Sequence, residues 1–378
     1  MRGPAGRRAA GRRIEVDLAE RSYPVHIGVG TLAAAGPEIA RRTGAGLAVV
    51  VSVPGVARRY AGPLERSLRG AGLRTARLVV PDGDRSKRLA VVARLYGRLI
   101  ALGADRSSAI VALGGGVVGD LGGFTAATFL RGIPFVQVPT TLLAMIDASV
   151  GGKVGVNLPQ GKNLVGAFHQ PRLVWIDAAT LRTLPARERS AGFAEMVKAA
   201  ALWDAAYFAR LERDAEALAA LDASRLVPAL ECAVAIKAEI VARDEREGGL
   251  RMLLNLGHTL AHAVEKLSGY RRVLHGEAVA MGMVYAARRS EELGFAAAGT
   301  AARIEALLRR FALPTELPRF PREAYLGALR VDKKRSGGRI RYVVLRGIGR
   351  AETVPLTPAE ILPPGRVGSA RPRARKGR

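Results

Sequence analysis

The stretch Ala109–Phe124, AIVALGGGVVGDLGGF, decides how the first half of this chain is read. The run SSAIVAL has the composition of a buried strand, and VVGDLGGFTAATFL reads as the start of a helix. Between them, Gly114, Gly116 and Gly119 fit the spacing G-x-G-x-x-G. A strand, a glycine turn and a helix N-terminus together aim backbone N–H groups at a pyrophosphate. Two features resist an ordinary dehydrogenase reading. The fingerprint normally follows the first strand, and this one begins after 113 residues. An acid is also expected about 20 residues further on, at the end of the next strand. Here that strand ends VQVPTTLLA, without one. A tight structural turn would account for the glycines by themselves.

Outward from the loop, GLAVVVSV, ARLVVPDG, IPFVQVPTT and RLVWIDAATL read as further strands, each ended by Gly, Pro, Asp or Thr. DRSKRLAVVARLYGRLIALGA carries helical spacing between two of them. Strands alternating with helices predict an α/β domain with a parallel, Rossmann-like sheet. From about Pro185 the texture changes to Ala, Leu, Glu and Arg at helical period, as in RERSAGFAEMVKAAALWDAAYFARLERDAEALAAL. The expected organisation is a basic disordered tail (1–13), an α/β domain (14–184), an all-α domain (185–362) and a second basic disordered tail (363–378).

The chain has 378 residues, which favours two domains, and a net charge of +26. Residues 1–13 hold five arginines and no acid, and residues 366–378 hold five arginines, one lysine and no acid. Such tails bind polyanions weakly, but they carry no aromatic for base stacking and no nucleic-acid motif accompanies them. No specific nucleic-acid partner is expected. No uncharged apolar run is long enough for a membrane span, and the basic start is followed by IEVDLAERSYPV where a signal peptide needs an apolar run. Cys232 is the only cysteine and reads as a small apolar packing residue in a helix. A cytoplasmic protein is expected.

Two lysines stand close to further glycines in PTTLLAMIDASVGGKVGVNLPQGKNLVGAFHQP: Lys153 and Lys162, the second beside Asn163. Lysines next to glycines and hydroxyls suit phosphate oxygens, although the P-loop pattern is absent. Of the five histidines, three fall within eighteen residues: His258, His262 and His275. NLGHTLAH puts His258 and His262 one helical turn apart, and VLHGEAVAMGM puts His275 at the mouth of the next helix. Three histidines so close suggest a metal site, with a carboxylate supplied from elsewhere and one position open. Glu195 in GFAEMVKA is a candidate, one turn from Lys198. Spacing does not choose it over Glu265 or Glu277, nor does it say which two histidines bind. H-E-x-x-H is absent, which disfavours a zincin protease.

Taken together, GGGVVGDLGGFTAATFLRG, the long SVGGK…GAFHQP segment, GFAEMVKAA, KAEIVARDEREGGLRMLLNLGHTLAHAVE, LHGEAVAMGM and DKKRSGGRIRYVVL resemble the 3-dehydroquinate synthase family, from near Tyr23 to near Gly349. The resemblance implies an NAD-binding α/β domain followed by a helical metal-binding domain, in a homodimer. It implies one Zn²⁺ or Co²⁺ held by Glu195, His258 and His275, with His262 beside it as a proton acceptor or hydrogen-bond partner. It places NAD along Asp82, Gly83, Asp84, Arg85, Ser86 and Lys87, then Gly116, Val117, Val118, Gly119 and Asp120. Thr140, Thr141, Asp147, Lys153, Lys162, Thr180, Leu181, Arg182 and Thr183 complete that set. Lys153, Asn163, Lys198, Lys237, Arg251, Asn255 and Lys334 match groups the family uses at its substrate, and Arg131 matches an arginine lent across the dimer interface.

The implied substrate is 3-deoxy-D-arabino-heptulosonate 7-phosphate, an anionic sugar acid phosphate. The implied reaction yields 3-dehydroquinate and phosphate through transient NAD-dependent oxidation, β-elimination, reduction and aldol closure. Two positions depart from the family pattern. Asp84 stands where Glu is usual, and Val53 stands where Asp or Asn is common and cannot accept a ribose hydrogen bond. Three rivals remain. One is a related sugar phosphate cyclase making an aminocyclitol or an amino-dehydroquinate. Another is a metal-dependent polyol dehydrogenase, and the third is an inactive relative that acts as a basic binding protein.

Overall fold

The computed structural model describes residues 11–270, 272–333 and 338–365. The extreme tails and Lys334 lie outside the described residues. The chain forms two compact units. One runs through Gly192 and takes in Ala220–Arg246; the other comprises Phe193–Ala219 and the chain from Glu247 onward.

Among the described residues, the first unit has nine strands: β1 (Arg12–Val16), β2 (Tyr23–Gly28), β3 (Leu47–Ser52), β4 (Arg74–Val79), β5 (Ser108–Gly114), β6 (Phe135–Pro139), β7 (Lys153–Leu158), β8 (Gly161–Phe168) and β9 (Leu173–Asp177). Seven of them make one sheet in the order β1-β2-β9-β6-β5-β3-β4, parallel except for the β1–β2 pair. Every residue of β3, β5, β6 and β9 is buried, as expected when helices cover both faces of a parallel sheet. Alternation assigns the two faces. Val49, Val51, Ile110, Ala112 and Phe135 join Val91, Leu95, Leu99 and Leu121 of helices Leu89–Ala101 and Gly116–Thr128. Val50, Val111, Leu113 and Val136 join Ile39, Leu64 and Leu68 of helices Ala35–Thr43 and Gly62–Gly70.

The strand order explains why the glycine fingerprint comes late in the chain. From β3 the chain moves outward to β4, then returns to the other side of β3 as β5. The carboxyl ends of β3 and β5 therefore flank the point where the winding reverses, which is where open α/β sheets bind ligands. The fingerprint follows β5, the fourth parallel strand to be built from β2 onward, because that strand borders the crevice.

Arg12 and Arg13, assigned above to the basic tail, instead open β1, pairing Arg12↔Ile27 and Arg13↔His26. Charged side chains on a short edge strand discourage pairing with other chains, so the arginines suit this position. The β7–β8 hairpin is not among the strands expected from the sequence; glycine, lysine and asparagine interrupt its valines and leucines. Its glycines let two backbones cross closely. A Cβ on Gly155 would lie 2.7 Å from Val165 O, and one on Gly166 2.4 Å from Val154 O. Helix Ala223–Arg243 falls inside the helical stretch of the sequence yet packs on β1 and on the Ala144–Ala148 turn of the first unit.

The second unit is helical. Asp204 ends helix Ala186–Trp203 and accepts from Tyr207 N (2.9 Å), starting helix Ala205–Ala219. Helices His258–Leu267, His275–Glu292, Thr300–Arg310 and Arg322–Lys333 follow. This unit also carries an antiparallel hairpin, β10 (Ile340–Gly347) with β11 (Arg350–Leu356). Among the described residues, no helix is long and apolar enough to cross a membrane.

Candidate active site

Within the first unit, β5 delivers Gly115 as the N-cap of helix Gly116–Thr128, and no side chain caps that end. The first backbone N–H groups are thus left for an anion. The glycines divide between two tasks. A Cβ on Gly119 would meet the Gln137 amide at 2.6 Å, and one on Gly123 would meet Val154 at 2.3 Å, so these two let the helix lie tight on the sheet. On Gly115 a Cβ would contact Thr141 at 3.0 Å, and on Gly116 Ala148 at 3.3 Å, where the chain lines the turn itself. Thr140 N donates to Gly114 O (2.9 Å), tying the P-T-T turn to the glycine loop.

Around this turn stand several sequence-predicted residues. Lys87 is buried and pairs with Asp120 and with the Asn163 amide oxygen. Burial pushes the Asp120 carboxyl above its usual range, and the Lys87 ammonium opposes that rise. Lys237, from helix Ala223–Arg243, donates to both the carbonyl and the carboxylate of Asp147. Lys162 lies 3.7 Å from Asp84, and Lys153 is exposed at the start of β7. Thr180 and Thr183 sit on the Ala178–Thr183 turn that Asp177 caps through Ala179 N (3.0 Å). Tyr60 OH bonds to Thr183 Oγ1 at 2.6 Å. Nothing in the sequence distinguishes Tyr60 or Asp177 as supports for this turn. Val53 is buried in the core, so its side chain packs instead of offering a polar atom. Arg131 is exposed, and it and Leu130 both hold positive φ (68° and 49°), a conformation that costs non-glycine residues of order 1–3 kcal/mol each.

The second unit gathers Glu195, His258 and His275. Each offers one ligand atom, and the three atoms lie within 4.8 Å of one another. Glu195 Oε1 is buried without a hydrogen-bond partner, 3.8 Å from His258 Nε2 and 3.7 Å from His275 Nε2. An orphaned carboxylate oxygen facing two imidazole nitrogens suits a divalent cation, and this nitrogen–oxygen donor set is one that zinc accepts. The other atoms of the triad are accounted for. Glu195 Oε2 pairs with the Lys198 ammonium, and both side chains are almost fully buried (1% and 3% exposed). His258 Nδ1 lies 3.2 Å from Leu256 O, which favours a proton on Nδ1 and leaves Nε2 as the ligand. His275 Nδ1 faces Glu265 at 3.5 Å, the carboxylate–histidine arrangement that orients metal-binding imidazoles. Glu277 accepts from Leu274 N (2.9 Å), capping the start of helix His275–Glu292. Geometry thereby separates the three carboxylates that spacing left open.

The two histidines meet because two glycines let their helices touch. Gly257 precedes His258 with φ +79°, and a Cβ on Gly282 would lie 2.1 Å from Gly257 O. Gly282→Ala should therefore cost about 1–3 kcal/mol through overpacking. It should also weaken metal binding, because His258 is the neighbour of the displaced carbonyl. Thermal melts of metal-free protein and a metal titration would check both. His262 lies beside the triad, its ring 5.6 Å from that of His258. Arg251 is buried in the Leu250–Asn255 turn, and Asn255 donates to Glu247 at 3.2 Å.

The sequence matches known proteins along most of its length. Residues 77–191 match the N-terminal domain and residues 192–335 the C-terminal domain of 3-dehydroquinate synthase. A 3-dehydroquinate synthase of Citrifermentans bemidjiense is 50% identical over 338 residues, covering 89% of this chain and 93% of that protein. Among solved structures, 2-epi-5-epi-valiolone synthase from Streptomyces hygroscopicus, with NAD⁺ and Zn²⁺ bound, superposes with TM-score 0.82 at 30% identity, covering 91% of this chain and 96% of that one. A 2-deoxy-scyllo-inosose synthase complexed with carbaglucose-6-phosphate, NAD⁺ and Co²⁺ gives TM-score 0.80 at 26% identity, covering 93% and 98%. The parallel sheet, the glycine turn after β5, the Glu-His-His cluster and these matches agree: the chain belongs to the 3-dehydroquinate synthase family.

Proposed function

We propose that this chain is a phosphate-eliminating lyase that converts 3-deoxy-D-arabino-heptulosonate 7-phosphate to 3-dehydroquinate and phosphate, with NAD⁺ and one Zn²⁺ or Co²⁺. The observation that carries the reading is the buried, orphaned Glu195 oxygen facing His258 and His275, in a chain half identical to a 3-dehydroquinate synthase. When bound, the nucleotide supplies reversible hydride exchange and the cation supplies Lewis acidity.

The protein's residues bind, orient and shield. Glu195, His258 and His275 hold the cation, while Lys198 fixes the second Glu195 oxygen. The backbone of the 82–87 turn, the 116–120 loop, Thr140, Thr141 and the 180–183 turn cradle the nucleotide. The cations Lys153, Lys198, Lys237, Arg251 and Lys334 answer a substrate bearing both carboxylate and phosphate. Asn163 and Asn255 offer amide hydrogen bonds to it. His262, next to the cation site, accepts or relays a proton. Arg131 serves the neighbouring protomer of a homodimer, and its strained backbone supports a site held in place by assembly. We assign the NAD-binding function to residues 14–184 and the metal-binding function to 185–362.

A second reading is favoured by the similarity to the 2-deoxy-scyllo-inosose synthase complexed with carbaglucose-6-phosphate: a related cyclase for a sugar phosphate without a carboxylate. The two separate when the metal-loaded protein is offered the heptulosonate 7-phosphate and a heptulose 7-phosphate lacking the carboxylate. Our reading expects phosphate release from the first, faster by at least about 100-fold, because an unmatched buried cation costs several kcal/mol. Equal rates, or preference for the second, would favour the alternative.

A further inference from the structure

Resting on that functional reading, we infer that Lys87 is a positioning residue: it locks the Asn163 amide so that its NH₂ faces the substrate, and it is not a phosphate ligand of the nucleotide. Lys87 is 6% exposed, and its ammonium is engaged by Asp120 Oδ2 and Asn163 Oδ1. A lysine has only donors, so it must meet the amide oxygen of Asn163 and never the nitrogen. That contact removes the flip ambiguity of the amide and leaves the NH₂ as the outward end.

The rest of the hairpin supports this assignment. Asn157 N donates to Lys87 O (2.8 Å), so β7 holds the Lys87 backbone while β8 holds its side chain. Asn157 Oδ1 accepts from Asn163 N (3.0 Å), and Asn163 sits at φ +54°, a conformation asparagine tolerates better than most residues. Asn157 Nδ2 reaches Asp84 Oδ2 at 3.2 Å, and Lys162 approaches the same oxygen. The hairpin tip is thus fastened to the Asp82–Lys87 turn through Asp84 and Lys87 both. Asp84, the shorter acid at a position where glutamate is usual, points its carboxylate to this fastening.

The test uses full-length, metal-loaded protein, with turnover of the unsubstituted chain established first. Failure there would overturn the functional reading itself. Lys87→Met should raise KM for the heptulosonate phosphate about tenfold at saturating NAD⁺, the scale of one oriented hydrogen bond. NAD⁺ affinity measured calorimetrically without the sugar should stay within about threefold, and in an Asn163→Ala background Lys87→Met should add less than about twofold to KM. An NAD⁺ dissociation constant rising as much as KM, or KM effects that multiply in the double variant, would overturn the inference. If Lys87→Met unfolds, Lys87→Arg keeps a cation beside Asp120 and is expected to show the same pattern with a smaller rise.

Discussion

Replacing His275 with alanine is expected to abolish measurable metal retention and to lower turnover by about 10³-fold or more, since the Lewis-acid contribution amounts to several kcal/mol. The triad has only three protein donors, so each lost donor leaves two. Glu195 Oε1 would then be a buried carboxylate oxygen with one fewer partner for the cation. The supporting carboxylate gives a graded control. Glu265→Gln keeps the shape but weakens the grip on His275 Nδ1. Loss of such a support typically costs 10–100-fold in metal affinity. Metal analysis after dialysis, followed by turnover with added zinc, separates the two. High zinc should rescue Glu265→Gln and leave His275→Ala inactive. Unchanged turnover in His275→Ala would remove the cation from this site.

Lys198→Met is expected to be the other severe change, for a different reason. Lys198 and Glu195 form a buried pair one helical turn apart. Removing one partner of a buried pair costs about 3–5 kcal/mol, because a charge is left without compensation. Here a bound divalent cation can supply that compensation. Metal-free Lys198→Met should therefore be much less stable than the parent, and zinc should restore more stability to the variant than to the parent. Turnover should stay down by about 10²-fold or more even when metal is bound, if the ammonium also neutralises charge developing on the substrate. Thermal melts with and without zinc test the first part, and kcat at saturating zinc tests the second. A variant as stable as the parent without metal, or as active with it, would contradict this account of Lys198.

Much of the site could be read from residues because the chemistry is written in residue types. Histidines are few, so three of them in NLGHTLAH and VLHGEAV stand out. Apolar runs ended by Gly, Pro, Asp or Thr located β3 to β6 and β9. What stayed hidden depends on partners distant in sequence. Glu195, Glu265 and Glu277 have equal standing along the chain. Only the fold turns one toward two Nε2 atoms, one behind His275 and one onto a helix end. The late position of the G-x-G-x-x-G loop made it suspect until the β3–β4–β5 winding gave it a place at the reversal point. The β7–β8 hairpin was missed because its strands need glycines where the backbones cross, and Gly155 and Gly166 break up the Val154, Val156 and Val165 signature of a strand. Helix Ala223–Arg243 has ordinary helical periodicity, and periodicity does not say which unit a helix covers. Tyr60 carries no motif at all, since its role is to bond Thr180 O and Thr183 Oγ1 across 120 and 123 positions.

In the proposed reaction the nucleotide held beside β5 is restored in every cycle. The heptulosonate phosphate is supplied with zinc and with NAD⁺ at a small fraction of the substrate, and phosphate and reduced nucleotide are followed together. Phosphate and carbocycle should accumulate far beyond the NAD⁺ added, with no net NADH. NADH formed in proportion to consumed substrate, with the phosphate ester intact, would make the protein a dehydrogenase and contradict the proposed reaction.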